Sequence, residues 1–265
     1  MEEKIRKLKE EIKKHGKVAV AFSGGVDSAL VLAAACDALG KDNVVAITVK
    51  SPLTAGDDGN EASDFAKMLG ARHVILCIDP LSIEKVRQNT RDRCYHCKTA
   101  IFKAIKDEAL KNGCIAVLDG TNADDVKTYR PGIRALSELS IISPLLICGM
   151  EKKDVRKTAD MMHLPQAKKP AGPCLATRVP YDTHITSEMI SAISRGEKII
   201  KSFGISDCRL RHHGDTARIE VSKEEIAKLI NDDLISSLKK LGYRFVTADL
   251  EGYRSGCFDD DQEKE

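Results

Sequence analysis

Tryptophan is absent from this 265-residue chain, and only 4% of its residues are aromatic. Stacking platforms for exposed nucleic-acid bases are built from aromatic faces, so none is expected here. Neither sign of charge dominates: 42 Lys and Arg stand against 40 Asp and Glu, a formal net charge of +2. That balance argues against a dominant nucleic-acid-binding field, although local basic patches stay open, and no nucleic-acid partner is expected. Long apolar runs are also missing. The longest, near Ala29–Cys36 and Ile141–Cys148, fall short of the roughly 20 residues that span a bilayer, and Ser143-Pro144 interrupts the second. Met1–Lys14 is a charged amphipathic helix with Ile5, Leu8 and Ile12 on one side, not a signal sequence. These absences predict a cytoplasmic protein without a membrane partner. Nine cysteines without an export signal point to reactive or metal-binding thiols, not to a disulfide framework.

Up to about residue 162, short Val- and Ile-rich runs alternate with helix-period segments. Lys17–Phe22, Asn43–Val49, His73–Ile78 and Ile115–Leu118 read as buried strands. Ser28–Leu39, Asn60–Leu69, Lys98–Lys111 and Glu151–Met162 read as helices. Such alternation implies an α/β fold with a Rossmann-like parallel sheet covered on both faces. Ligands of such sheets bind beyond the carboxyl ends of the strands. The loops Ser23–Asp27, Lys50–Gly59 and Gly120–Asp125 are therefore expected to converge. His163–Thr186 carries four prolines and no clear period, which marks a functional loop. Beyond it the style changes to a helix (Ser187–Phe203), two alternating strands (Cys208–His213 and Thr216–Val221) joined by Gly214-Asp215, a helix opened by the capping pair Ser222 and Glu225, and a last strand, Tyr243–Leu250. The reading is a nucleotide domain over 1–165, a proline-rich loop over 166–186 and a smaller α+β domain over 187–265. A charged tail, Asp259–Glu265, closes the chain.

Residues 23–28 read Ser-Gly-Gly-Val-Asp-Ser, directly after a strand and directly before a helix. Glycine lets the backbone turn tightly, and the helix start presents N–H groups with partial positive charge. With the hydroxyls of Ser23 and Ser28, this is a nest suited to pyrophosphate. It lacks the Lys of a Walker loop and the spaced glycines of a dinucleotide fingerprint. The segment resembles the pyrophosphate loop (PP-loop) of the N-type ATP pyrophosphatases, which cleave ATP to AMP and pyrophosphate while adenylating a substrate oxygen.

Cys94 and Cys97 form a C-x-x-C, and Cys174 sits in the proline-rich loop. Several readings stay open on spacing alone: a redox couple, a zinc site completed by His96, incidental helix cysteines, a metal-free thiolate relay, or three ligands of a [4Fe–4S] cluster with one open iron. Arg91, Arg93, Lys98, Lys168, Lys169 and Arg178 flank these thiols, either lowering their pKa or simply solvated. Cys36, Cys77, Cys114, Cys148 and Cys208 lie on apolar faces and read as small core residues. Cys257, in the tail, has no assigned role.

Six stretches in order resemble the LarE family of PP-loop sulfur transferases, which build the nickel-pincer nucleotide cofactor of lactate racemase. They are Ala21–Ser28, Arg93–Phe102 (RCYHCKTAIF), Asp119–Gly132 (DGTNADDVKTYRPG), Pro173–Tyr181 (PCLATRVPY), Leu210–Val221 (LRHHGDTARIEV) and Asp249–Gly256 (DLEGYRSG). The resemblance implies that ATP adenylates a carboxylate of a pyridinium biscarboxylate mononucleotide, and that sulfur then displaces AMP to give a thiocarboxylate. Some members sacrifice the cysteine matching Cys174. Others hold a [4Fe–4S] cluster on three cysteines, and Cys94, Cys97 and Cys174 place this chain with those, supplied by sulfide or a sulfur donor.

By the same resemblance, Ser23, Gly24, Gly25 and Ser28 hold the β,γ-phosphates, Asp27 and Asp125 hold Mg²⁺, and Arg130 contacts a phosphate or the acyl-adenylate. Helix capping competes for Asp125, and a surface salt bridge for Arg130. Arg209 and Arg211 match positions that bind the substrate's phosphate, and Glu197 an acidic residue nearby. Strand alternation puts Arg209, Arg211 and His213 on one face, with Arg218 across from Arg211, a like-charge pair that a bound anion would relieve. His212 reads as a satisfied core histidine. The family assembles as trimer-based hexamers. The rivals are a PP-loop tRNA thiolase, an amide-forming ligase, and a non-catalytic nucleotide-binding protein with a structural metal.

Overall fold

The computed structural model describes residues 2–54, 60–127, 131–168 and 172–254. In chain order the strands are β1 (Val18–Ala21), β2 (Val44–Lys50), β3 (Arg72–Cys77), β4 (Ala116–Leu118), β5 (Arg209–His213), β6 (Thr216–Glu220) and β7 (Phe245–Ala248). The helices are α1 (Glu2–Lys13), α2 (Val26–Leu39), α3 (Asn60–Met68), α4 (Glu84–Arg87), α5 (Arg93–Lys111), α6 (Pro131–Glu138), α7 (Pro144–Ile147), α8 (Lys152–Met161), α9 (Ser187–Ser202) and α10 (Asp232–Lys239). Two compact units result, and neither is continuous in sequence. The first takes Met1–Ser51, Asp57–Pro80 and Cys94–Gly172; the second takes Pro52–Gly56, Leu81–Arg93 and Pro173–Glu265.

The first unit is a parallel sheet in the order β3-β2-β1-β4. The chain builds outward through β1, β2 and β3, then returns to place β4 on the other side of β1. The order therefore reverses between β1 and β4, the point where open α/β sheets form their ligand crevice. The central strand is apolar on both faces: Val18, Ala19 and Val20 are fully buried. Helix α2 is apolar nearly all round because α1 and α8 cover what the sheet does not. Leu8 and Ile12 of α1 are fully buried in this core, and Ile5 is half-buried. Cys77 departs from the sequence reading. It is exposed, because β3 is an edge strand whose alternate residues face outward. Cys114 is buried, while Cys36 and Cys148 are half-buried; burial pushes the Cys36 thiol up to about 11.

In the second unit, β5 and β6 form the expected antiparallel hairpin and β7 pairs parallel to β6. Thr186 caps α9 by accepting from the Met189 N–H at 3.2 Å, and Asn231 caps α10 by accepting from Leu234 at 3.0 Å. The pair Ser222 and Glu225 does not make the expected capping box. Ser222 Oγ donates to Glu225 itself at 3.2 Å, and the segment Lys223–Leu229 is a 3₁₀ helix. Glu225 also accepts from the Ser206 N–H at 3.2 Å, in place of the Ser222 backbone N–H that a capping box requires. The box occurs instead at α8, between Glu151 and Asp154. Among the described residues, the proline-rich stretch contains two short 3₁₀ turns, Pro165–Lys168 and Leu175–Arg178. Buried Asn89 joins Leu81–Arg93 to this unit by donating to the carbonyls of Val179 (3.1 Å) and Pro180 (2.7 Å). Burial pushes the Cys208 thiol up to about 12. Among the described residues, no helix is long and apolar enough to cross a membrane.

Candidate active site

The loop leaves the carboxyl end of β1, where the Phe22 N–H still reaches the Ile47 carbonyl at 2.8 Å. Gly24 follows at φ +75°, a conformation that side chains with a Cβ rarely adopt. A Cβ there would meet nothing within 4 Å, so the space beside the turn is open. Ser28 Oγ donates to the Gly25 carbonyl at 3.1 Å and accepts the Ser23 N–H at 3.2 Å. The two serine hydroxyls lie 3.1 Å apart. Gly25 is the N-cap of α2 and brings no side-chain cap. The positive end of α2 therefore faces the loop's concavity, an arrangement that favours phosphate.

The loop after β4 closes against this turn. A Cβ on Gly120 would lie 2.7 Å from the Ser28 nitrogen and 3.1 Å from Asp27 Cβ, so only glycine permits the approach. Asn122 donates its amide to Asp27 Oδ1 at 3.1 Å, and Lys152, at the start of α8, places Nζ 2.5 Å from Asp27 Oδ2. Asp125 Oδ2 accepts the Asn122 N–H at 3.0 Å, so both expected magnesium carboxylates converge on Asn122. The turn at Asp125 does not open a helix among the described residues, which removes the helix-capping alternative. Asp124 accepts from Lys127 Nζ at 2.7 Å and from the Lys152 N–H at 2.8 Å, and the Lys127 contact leads in holding its carboxyl below the usual range. Beneath them, buried Asp119 accepts from the hydroxyls of Thr121 (2.5 Å) and Ser143 (2.6 Å). Of the three loops expected to converge, those after β1 and β4 meet. Part of Lys50–Gly59 and the whole of Arg130 lie outside the described residues.

Cys94 and Cys97 occupy the first turn of α5, three residues apart and hence on one helix face, and both are half-buried. Helix α5 follows α4, not a strand, which removes the strand-to-helix context of a thioredoxin-like couple. Tyr95, between the thiols, donates to Glu138 at 2.6 Å beneath the Arg134 guanidinium, 3.9 Å from its ring centroid. Exposed Cys174 belongs to the second unit. Its carbonyl accepts the Thr177 hydroxyl at 2.7 Å and the Thr177 N–H at 3.0 Å. Among the described residues, no group of three or more His, Cys, Asp and Glu side chains is assembled around a metal position.

Comparison with known proteins decides the family. A family model described as NAD synthase matches residues 1–111, the part holding the phosphate loop. Pyridinium-3,5-bisthiocarboxylic acid mononucleotide synthase of Lactiplantibacillus plantarum is 39% identical over 246 residues, 92% of this chain and 89% of that protein. The chain belongs to the LarE family. An uncharacterised protein of Synechocystis is 35% identical over 97% of both chains, and one of Methanocaldococcus jannaschii is 30% identical over 95% of this chain and 98% of its own.

Family membership directs attention to the arginines of the second unit. Arg211 and Arg218 do stand opposite each other across the hairpin. No anion is needed to relieve them, which corrects the reading from strand alternation. Glu220, 1% exposed, accepts from Arg211 Nε at 2.9 Å and Nη2 at 2.7 Å, and from Arg218 Nη2 at 3.1 Å. Arg209 is buried, paired with Asp207 at 2.5 Å and stacked over Tyr253 at 4.7 Å. Glu197 is engaged by Arg178, at 2.8 Å to Nε, and by the Leu210 N–H at 3.1 Å. Arg178, itself 1% exposed, also donates to the Pro173 carbonyl at 3.3 Å, tying Glu197 to the backbone before Cys174. Neither Arg93 nor Arg178 is a solvated surface charge: Arg93 is buried with its guanidinium 4.5 Å from the Tyr181 ring. His212 packs as expected, its Nδ1 3.2 Å from the Tyr243 hydroxyl, and burial lowers its pKa.

Gly120, Asn122, Lys152 and Glu220 were not singled out from sequence. Gly120 and Asn122 lie within the quoted DGTNADD stretch, so a signal existed. Glu220 sits in the quoted hairpin stretch, while Lys152 opens a helix in a plain charge run and carries none.

Proposed function

We propose that this protein is an ATP-dependent sulfur transferase acting on pyridinium-3,5-biscarboxylic acid mononucleotide in nickel-pincer nucleotide biosynthesis. The observation that carries the reading is the meeting of the Ser23–Ser28 nest with Asn122 and Asp125 around Asp27. It occurs in a chain 39% identical to the synthase over 92% of its length. Ser23, Gly24, Gly25 and Ser28 bind the β,γ-phosphates, helped by Arg130. Asp27 and Asp125 hold Mg²⁺, a hard cation suited to carboxylates and phosphate oxygens. A substrate carboxylate oxygen attacks the α-phosphorus, the bond to the β-phosphate oxygen breaks, and pyrophosphate leaves. Sulfur then displaces AMP from the acyl carbon. Arg209 and Arg211, with Glu197, position the mononucleotide phosphate.

Cys94, Cys97 and Cys174 hold a [4Fe–4S] cluster. Two half-buried thiols one helix turn apart on α5 supply a pair of thiolates, and the exposed thiol of Cys174 is assigned as the third by resemblance to the three-cysteine members of the family. When bound, it supplies an open iron for the incoming sulfide. The working form is a cytoplasmic trimer-based hexamer, with a nucleotide domain over 1–165, the Cys174 loop over 166–186 and a substrate and assembly domain over 187–265.

The test is pyrophosphate release from ATP with anaerobically prepared protein. Release must depend on the pyridinium biscarboxylate mononucleotide, and mass spectrometry must show an oxygen-for-sulfur exchange in the product. Cys94→Ala, Cys97→Ala and Cys174→Ala should each lose iron and sulfur transfer while retaining pyrophosphate release. Full multiple-turnover thiolation by any of the three overturns the three-thiol assignment. Pyrophosphate release that depends on RNA instead overturns the substrate.

A further inference from the structure

Both oxygens of the Asp27 carboxylate are occupied in this protein, one by Asn122 Nδ2 at 3.1 Å and the other by Lys152 Nζ at 2.5 Å. The neighbouring lysines are committed elsewhere: Lys127 to Asp124 (2.7 Å) and Glu151 (2.9 Å), Lys153 to Glu151 (2.7 Å). An ammonium on a carboxylate oxygen and a magnesium ion about 2 Å from the same group repel each other across a few ångströms. The two cannot share Asp27 at full strength. The backbone of Lys152 is fixed, because its N–H donates to Asp124 Oδ2 at 2.8 Å and the Glu151–Asp154 capping box holds the helix start. Only the flexible four-carbon stem is left to move, and the pair is part-exposed, at 35% for Lys152 and 21% for Asp27.

We propose that Lys152 is a placeholder cation on Asp27 that a divalent metal displaces only when a nucleotide's phosphates arrive to receive the ammonium. The proposal rests on Asp27 being the metal-binding carboxylate of the ATP site. Without nucleotide, Lys152 neutralises Asp27 and keeps free metal off the loop. With nucleotide, the ammonium moves from carboxylate to a phosphate oxygen of the triphosphate, and the metal takes its place between Asp27 and the phosphates. Metal and nucleotide then bind with positive coupling, each raising the affinity of the other. No bond is made or broken; the exchange is of ion pairs.

The test uses full-length protein with Mn²⁺ as the probe ion, read by electron paramagnetic resonance, and α,β-methylene ATP, read by calorimetry. Lys152→Met keeps the stem and removes the charge, and Lys152→Gln is a second variant should the first misfold. Either variant should bind Mn²⁺ alone about tenfold more tightly than the parent. The gain should vanish when Asp27→Asn is added. In the presence of Mn²⁺, the same variants should bind the analogue about tenfold more weakly, so that the coupling collapses. Unchanged or weaker Mn²⁺ binding in the absence of nucleotide overturns the proposal, as does unchanged coupling. These readouts need no pyridinium substrate. A protein that shows the exchange but releases no pyrophosphate with that substrate would refute the functional reading and leave this one standing.

Discussion

Replacing Glu220 with Gln tests the electrostatic design of the hairpin. The side chain is 1% exposed and serves two guanidinium groups that register places directly across from each other. The substitution preserves shape and one acceptor oxygen, but it turns an NH₂ group toward Arg211 or Arg218 and leaves Arg211 without its buried counter-charge, while Arg218 keeps Asp249 at 3.5 Å. Removing one partner of a buried ion pair costs about 3–5 kcal/mol. Like charges directly opposite on a strand pair add a few tenths to about 1 kcal/mol. By contrast, loss of an exposed pair such as Arg254 with Glu251 costs roughly 0–1 kcal/mol. If the hairpin opens with the second unit, amide exchange across 209–221 should accelerate by about 10²–10⁴-fold, since each 1.4 kcal/mol is a factor of ten. Hydrogen-exchange mass spectrometry of peptides from that hairpin, with peptides from β1 and β2 as internal controls, reads this directly. Inorganic phosphate should slow exchange in the variant more than in the parent, because the unbalanced Arg211 then has an anion to gain. Acceleration of less than about tenfold would mean that Glu220 does not hold the pair together, and the argument from burial and register would fail.

Two further perturbations address the first unit. Gly120→Ala forces a Cβ to within 2.7 Å of the Ser28 nitrogen; overpacking against backbone costs about 1–3 kcal/mol, so the KM for ATP should rise roughly tenfold or more while the far-UV spectrum stays intact. Asp154 is held below its usual range chiefly by its hydrogen bond from Lys4, at 2.6 Å, which links α1 to α8. Its folded pKa lies below the unfolded value of about 3.9, so its stabilisation is present above that pH and lost as pH falls through the folded value. Asp154→Asn should therefore melt below the parent at pH 6, with the gap closing in acid, and a gap that stays constant down to pH 3 would refute the linkage.

What could be read from the chain depended on how local its cause was. Strand β1 was legible because Val18, Ala19 and Val20 are apolar on both faces, and the helix after it because Gly24 and Gly25 make a turn that few other sequences make. The last strand reads longer in the sequence (Tyr243–Leu250) than β7 is (Phe245–Ala248), since buried Tyr243 and exposed Leu250 both resemble strand residues when partners are unknown. The Ser222–Glu225 pattern misled for a similar reason: the sequence shows a capping carboxylate but not the Ser206 amide that competes for it. Cys77 looked like core because its neighbours are apolar, yet edge position in a sheet is a tertiary fact. Long-range ion pairs were the least legible. Nothing in the composition of Arg209–Glu220 says that Glu220 turns inward to meet two arginines.

The same distinction accounts for the candidate site. Asp27, Asn122 and Lys152 come from three separate segments, and no local pattern joins them. The strand order does. Because β1 and β4 are neighbours at the reversal of the sheet, the loops leaving their carboxyl ends must meet, and Gly120 lets them meet at backbone distance. Helix α8 then packs against α2 and brings its first residue to the mouth of the same crevice. A phosphate nest alone, with the positive end of one helix, would bind many anions. Under the proposed exchange, a carboxylate held between an amide and an ammonium makes the site respond to a phosphate and a divalent cation together. It follows that metal dependence here should be set as much by Lys152, which binds no metal, as by the carboxylate it covers.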